Sequence, residues 1–302
     1  MATLVELMQG SMLLTIALAA LLGLLVGSFL NVVIYRLPLM LQREWRSQCL
    51  EYLQVDAKKT SVAEPAAGHK TFNLLKPDSH CPVCHKPVRP WQNIPVISYL
   101  LLRGRCSQCQ TSIHWRYPVV EIVTAVLSAL VAWHFGATWA ALAALVFTWC
   151  LISLTVIDMD HQLLPDNITL PLLWLGLILS VTGHGTGVSP SDALIGAGAG
   201  YLSLWSIYWV FKLLTGREGM GYGDFKLLAA IGAWLGWQQL LTVVILSSLA
   251  GALIGITLAV IAGRDKNIPM SFGPYLAIAG FVALIWGDVI SNTYVAMLVM
   301  QP

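Results

Sequence analysis

The chain has 302 residues, of which 57% are hydrophobic and 11% charged, against about 45–50% apolar and about 25% charged for an ordinary soluble domain. A soluble globule of this length is excluded. The formal net charge of +2 says little by itself, and no nucleic-acid partner is expected.

Uncharged stretches run over 11–35, 122–157, 167–191, 193–211, 227–263 and 267–287. A bilayer core of about 30 Å needs roughly 20 apolar helical residues. At about 1.5 Å per residue, 122–157 and 227–263 are each about 55 Å long, so each must fold back on itself. Turn signals stand at His134-Phe135-Gly136 and Gly236-Trp237-Gln238-Gln239. The expectation is an all-α polytopic membrane protein with eight transmembrane helices; the polar and apolar alternation of barrel strands is absent.

The first span, within 1–35, has no basic n-region, and its basic residues follow it. That pattern predicts a retained anchor with its N-terminus outside rather than a cleaved signal. Of the 17 Lys and Arg residues, 12 lie between Arg36 and Arg116, and the rest are Lys212, Arg217, Lys226, Arg264 and Lys266. With eight spans, all fall in loops of one parity, which the positive-inside rule assigns to the cytoplasm. Both termini are then expected outside.

The segment 36–117 holds 12 basic and 5 acidic residues, and it reads as a small water-exposed cytoplasmic domain between the first and second helices. Gln54 to Gly68 reads as a flexible loop. So small a domain calls for a staple, and Cys81-Pro-Val-Cys84 with Cys106-Ser-Gln-Cys109 supplies a candidate. Two Cys-x-x-Cys knuckles let four thiolates face one tetrahedral zinc ion. Disulfides or unligated thiols are the alternative, and a reducing cytoplasm disfavours disulfides. Four protein ligands leave no open position, so the zinc is expected to be structural. Cys49 and Cys150 lack a partner at ligand spacing. The remaining 118–302 reads as a seven-helix membrane domain.

Acids inside a membrane domain cost free energy to bury. Asp158, Asp160 and Asp166 follow the third span, and Asp224 ends Gly221-Tyr222-Gly223-Asp224 at the start of the sixth. By parity both clusters lie at the cytoplasmic boundary, where they could meet. Asp158 and Asp160 are about 200° apart around a helix, so only one can face a given partner. Asp166, after Pro165, suits an N-cap of the fourth span. The glycines before Asp224 permit a bend or a close approach. Solvated loop acids balancing Lys212, Arg217 and Lys226 would account for the same set. Gly196-Ala-Gly198-Ala-Gly200 lies inside a span and reads as close helix packing rather than a phosphate loop. Tryptophans such as Trp133, Trp139, Trp234, Trp237 and Trp286 fit membrane interfaces.

Together, the four-cysteine loop, Ile157-Asp158-Met159-Asp160-His161-Gln162-Leu163-Leu164-Pro165-Asp166 and Gly221-Tyr222-Gly223-Asp224-Phe225-Lys226 resemble the bacterial type IV prepilin peptidases. The likeness runs from Gly27-Ser28-Phe29-Leu30-Asn31 to Phe272-Gly273-Pro274-Tyr275. The resemblance implies an intramembrane aspartyl protease of the bacterial inner membrane. Such enzymes cut the basic leader from type IV prepilins and type II secretion pseudopilins, after a glycine. It implies Asp158 and Asp224 as the catalytic pair, with Gly221 and Gly223 as motif support, and no metal for proteolysis. It also implies N-methylation of the new terminus with S-adenosylmethionine; no nucleotide-binding fingerprint accompanies this, so no methyl-donor residues are named. A proton-coupled transporter should hold its acids near the midplane on broken helices. A zinc-dependent scaffold would leave Gly221 to Asp224 unexplained.

Overall fold

The computed structural model describes residues 10–53, 72–261 and 271–299, and these are almost wholly helical. In chain order the helices are α1 (Met12–Tyr52), α2 (Ile97–Leu101), α3 (Arg116–Phe135), α4 (Trp139–His161), α5 (Asp166–Thr182), α6 (Pro190–Thr215), α7 (Tyr222–Leu235), α8 (Leu240–Ile261) and α9 (Gly273–Val299). Among the described residues there is no β-strand, and extended pairing is limited to the isolated bridges His80 with Pro87 and Arg105 with Ser112. The loop expected at Gln54 to Gly68 and the basic pair Arg264 and Lys266 lie outside the described residues.

Among the described residues six helices are long and apolar enough to cross a membrane, so this is an all-α polytopic membrane protein. The fourth and sixth predicted spans are the short ones. Helix α5 has 17 residues and α7 has 14, roughly 25 and 21 Å at the helical rise. Both fall short of a bilayer core of about 30 Å. Among the described residues the helices other than the short α2 follow in the expected order, while six reach full crossing length. The apolar run 167–191 overestimated its helix, because Gly183 at φ +71° ends α5 in a left-handed cap.

The chain divides into two compact units, Leu21–Val126 and Met1–Ala20 with Leu127–Pro302, and the division falls within α1 and α3. In the unit Leu21–Val126, α1 does not stop where its apolar run stops but continues to Tyr52 through Pro38. Cys49 is therefore helical and exposed. Arg36 is buried, and its guanidinium donates to the carbonyls of Asn73 (3.0 Å), Leu74 (3.3 Å) and Pro77 (2.6 Å). Those bonds satisfy a charge that burial would otherwise penalise. Gly27 lets α1 meet α3 closely, since a Cβ there would lie 2.8 Å from Glu121 Cα. Four residues on, Asn31 Nδ2 donates to the Tyr117 carbonyl at 3.1 Å. The Gly27 to Asn31 segment is thus the seam between these two helices.

In the other unit α7 is the central element. From Asp224 to Leu235 all its residues but Lys226 are buried, as befits a helix that is apolar nearly all round. Helix α6 approaches it through glycine. A Cβ on Gly196 would collide with the Gly232 carbonyl, and one on Gly200 would lie 2.6 Å from the Leu228 carbonyl oxygen. Gly198, between them, faces open space. Trp234 is only 2% exposed, so it is a core residue and not the interfacial one expected. Its indole N–H donates to the Leu172 carbonyl at 2.8 Å, and Gly176 makes room for the ring. Helix α9 packs against α4, α7 and α8. Large aliphatic side chains such as Leu194, Leu202, Ile207, Leu253 and Ile256 face outward, a surface suited to lipid and not to water.

Candidate active site

Helix α4 persists past Asp158 and Asp160 to His161, where Gln162 at φ +51° caps it with an N–H bond to the Asp158 carbonyl. Because the helix persists, the two acids point apart. Asp158 is buried and Asp160 exposed.

Asp224 is buried at the opposite kind of helix end, the first turn of α7. Gly221 is the N-cap, and the Asp224 carboxyl accepts the Gly221 N–H while the Asp224 N–H donates to the Gly221 carbonyl at 3.3 Å. A side chain at the third helical position reaching back to the cap N–H satisfies one of the unpaired donors of a helix start. Asp224 Oδ1 is buried and has no hydrogen-bond partner among the described residues.

Asp158 and Asp224 are near enough for their carboxyls to repel each other. Leu164, in the turn between α4 and α5, shows how the segments converge. A Cβ on Gly223 would sit 2.7 Å from Leu164 Cβ. One on Gly273 would sit 3.2 Å from Leu164 Cδ1 and 3.1 Å from Asp158 Cγ. The end of α4, the start of α7 and the start of α9 therefore meet with no side chain interposed at either glycine. Asp158 Oδ2 receives the Ser271 hydroxyl, and the Asp158 carboxyl also receives the Gly273 N–H.

Gly223 thus has a steric reason to lack a side chain. Gly221 does not, since a Cβ there would meet nothing nearer than 3.9 Å. Asp166 is the first residue of α5 and not its cap; that place is taken by Pro165, without a side-chain bond. Asp166 instead pairs with Lys226. Ser271 carried no signal in the sequence, while Leu164 and Gly273 stood in recognised segments without a role.

In the unit Leu21–Val126, Cys81, Cys84, Cys106 and Cys109 come together with their sulfurs all within 4.8 Å of one another. The two knuckles share one geometry. Cys81 N–H donates to Lys86 O and Cys106 N–H to Thr111 O, and the residue after each second cysteine, His85 or Gln110, has φ near +55° (55° and 57°). Cys81 and Cys109 sulfurs are 3.6 Å apart, close to the roughly 3.8 Å edge of a tetrahedron whose metal–sulfur bonds are about 2.3 Å. The four free thiols fit a structural metal. The Thr111 hydroxyl lies 3.2 Å from Cys109 Sγ. The knuckles are tied by Lys86 Nζ to Gln108 Oε1 (3.1 Å) and Gln92 Nε2 to Ser107 Oγ (2.8 Å).

Residues 21–135 match the family model described as the bacterial peptidase A24 N-terminal domain, and residues 145–256 match the type IV leader peptidase family. The chain is 54% identical to a prepilin leader peptidase/N-methyltransferase of Stutzerimonas stutzeri over 96% of its length and 97% of the relative's. It is 55% identical to the protein so named in Pseudomonas aeruginosa, over 91% of each chain, and 51% identical to that of Neisseria gonorrhoeae, over 90% and 91%. No solved structure matches the chain. With relatives this similar along nearly their whole length, the chain belongs to the type IV leader peptidase family.

Proposed function

We propose that the chain removes the basic leader from type IV prepilins and type II secretion pseudopilins, cutting after a glycine, with Asp158 and Asp224 as the catalytic pair. The observation that carries this reading is the meeting of two buried carboxyls at helix ends, one with an oxygen left unpartnered. Like charges so placed cannot easily both ionise, so the pair shares one proton. Asp158, whose carboxyl accepts two donors, acts as the carboxylate and takes a proton from water as that water attacks the scissile carbonyl. Asp224 presents its Oδ1 proton to the carbonyl oxygen and then helps protonate the leaving amine.

The four cysteines bind one structural zinc, which closes the segment 36–117 into a domain and takes no part in cleavage. That domain lies between a first membrane helix in 1–35 and a seven-helix membrane domain in 118–302. The second activity in the relatives' name, N-methylation, completes the processing of the new terminus here as well. S-adenosylmethionine supplies the methyl group, and no residue is assigned to it. The chain resides in the bacterial inner membrane with both termini periplasmic and the zinc domain cytoplasmic, on the strength of where its basic residues lie.

Purified protein in detergent, incubated with a prepilin, should yield a product lighter by the leader, and heavier by one methyl group when S-adenosylmethionine is present. Asp158→Asn and Asp224→Asn should each lower cleavage by orders of magnitude, and the double substitution should be little worse than either, because residues acting as a unit are non-additive. Near-normal cleavage by Asp224→Asn at normal expression refutes the pair. Loss with Asp160→Asn but not Asp158→Asn would move the first catalytic residue by two positions.

A further inference from the structure

Asp158 is held by contacts from a segment over a hundred residues further along the chain. The Ser271 hydroxyl donates to Asp158 Oδ2, and two residues later the Gly273 N–H donates to the same carboxyl. Ser271 and Phe272 lead into α9, whose first residue is Gly273 and which packs along α4. The approach is close enough that Gly273 must lack a side chain, as a Cβ would press on the Asp158 carboxyl. Among the described residues Asp224 has no such clamp, since its own carboxyl bonds only within its helix start and leaves Oδ1 unpartnered.

From this asymmetry we infer that Ser271 is a positioning residue for proteolysis, fixing the rotamer of Asp158 so that its carboxylate faces the water it activates. The inference rests on the Asp158 and Asp224 pair proposed above. A hydroxyl bond to an ionised group is among the stronger ones in proteins. It fixes the direction of a carboxyl whose misplacement by about 1 Å can cost on the order of 10²-fold. Ser271 contributes no atom to the reaction. Its effect should fall on the chemical step and leave substrate binding untouched.

The test compares Ser271→Ala, Ser271→Thr and Asp158→Asn in the full-length protein, reading prepilin cleavage together with thermal unfolding. Ser271→Ala should lower kcat about tenfold with KM unchanged and the unfolding midpoint preserved. Ser271→Thr keeps a hydroxyl at the same position and should retain cleavage within about threefold of the parent. Equal impairment of Ala and Thr, a loss confined to KM, or normal kcat in Ser271→Ala would overturn the positioning role. Asp158→Asn separates the two levels. If it is inert while Ser271→Ala is normal, only the role of Ser271 fails; if Asp158→Asn itself cleaves normally, the catalytic pair fails and Ser271 with it.

Discussion

Lys226 Nζ reaches both carboxylate oxygens of Asp166 at 2.7 Å, joining the first residue of α5 to α7 two residues beyond Asp224. Each carboxyl therefore sits near a helix start, where acids are favoured, but they do different things. Asp224 is buried and Asp166 is half exposed, at 50% for its side chain. A pair this open to solvent contributes about 0–1 kcal/mol. Asp166→Asn should accordingly keep cleavage within a few-fold of the parent and move the unfolding midpoint little. Loss of cleavage on the scale of Asp224→Asn would place Asp166 in the chemistry instead.

The two glycines of Gly221-Tyr222-Gly223-Asp224 are not equivalent. Gly223→Ala would drive its methyl to 2.7 Å from Leu164 Cβ and displace the turn that packs between Gly223 and Gly273. Gly221→Ala meets only Asp224 Oδ2 and Gly223 N, at 3.9 and 4.0 Å, at an ordinary φ of −83°. Cleavage should fall by about tenfold or more in Gly223→Ala, since small displacements of catalytic groups are costly, and only modestly in Gly221→Ala. Matched initial rates on one prepilin decide it, and the reverse order would show that the first glycine serves something besides backbone room.

How the site is assembled was partly legible in the sequence. The Asp158 and Asp160 offset needed only helical periodicity, and burial of the first with exposure of the second follows from the helix running on to His161. The cysteine knuckles were readable because a two-residue gap is itself a geometry. Ser271 was not readable, since a single hydroxyl beyond a charged loop has no periodicity and gains meaning only when α9 folds against α4. Trp234 misled for a related reason. An amphipathic ring suits an interface, yet its N–H is satisfied inside the protein, where the Leu172 carbonyl accepts it.

The packing of α6 on α7 gives a prediction with its control built in. Gly232→Ala would force a methyl into the Gly196 backbone, whereas Gly198→Ala adds one to open space. Overpacking a tight contact costs about 1–3 kcal/mol, while Ala for Gly in a helix interior is favourable by roughly 0.5–1 kcal/mol. Gly232→Ala should lower the unfolding midpoint and cleavage together, because Asp224 rides on α7. Gly198→Ala should leave both unchanged or raise the midpoint, and equal destabilisation by the two would remove the glycine contact as the cause.

Metal content gives the remaining prediction. Protein purified without chelator should carry one zinc per chain, and replacing Cys81 or Cys106 with Ser should remove most of it. Serine lacks the thiolate, and the sulfurs on opposite knuckles are what close the cluster. Because binding free energy at such a site is also folding free energy, the segment between α1 and α3 should become sensitive to protease in either variant. The helices that hold Asp158 and Asp224 use none of these cysteines. Cleavage per intact molecule should therefore survive better than the fold of the cysteine domain. Elemental analysis that finds no zinc in the parent protein would defeat the structural-metal role, and complete loss of cleavage in a Cys81→Ser protein that remains inserted would make the metal necessary to the peptidase itself.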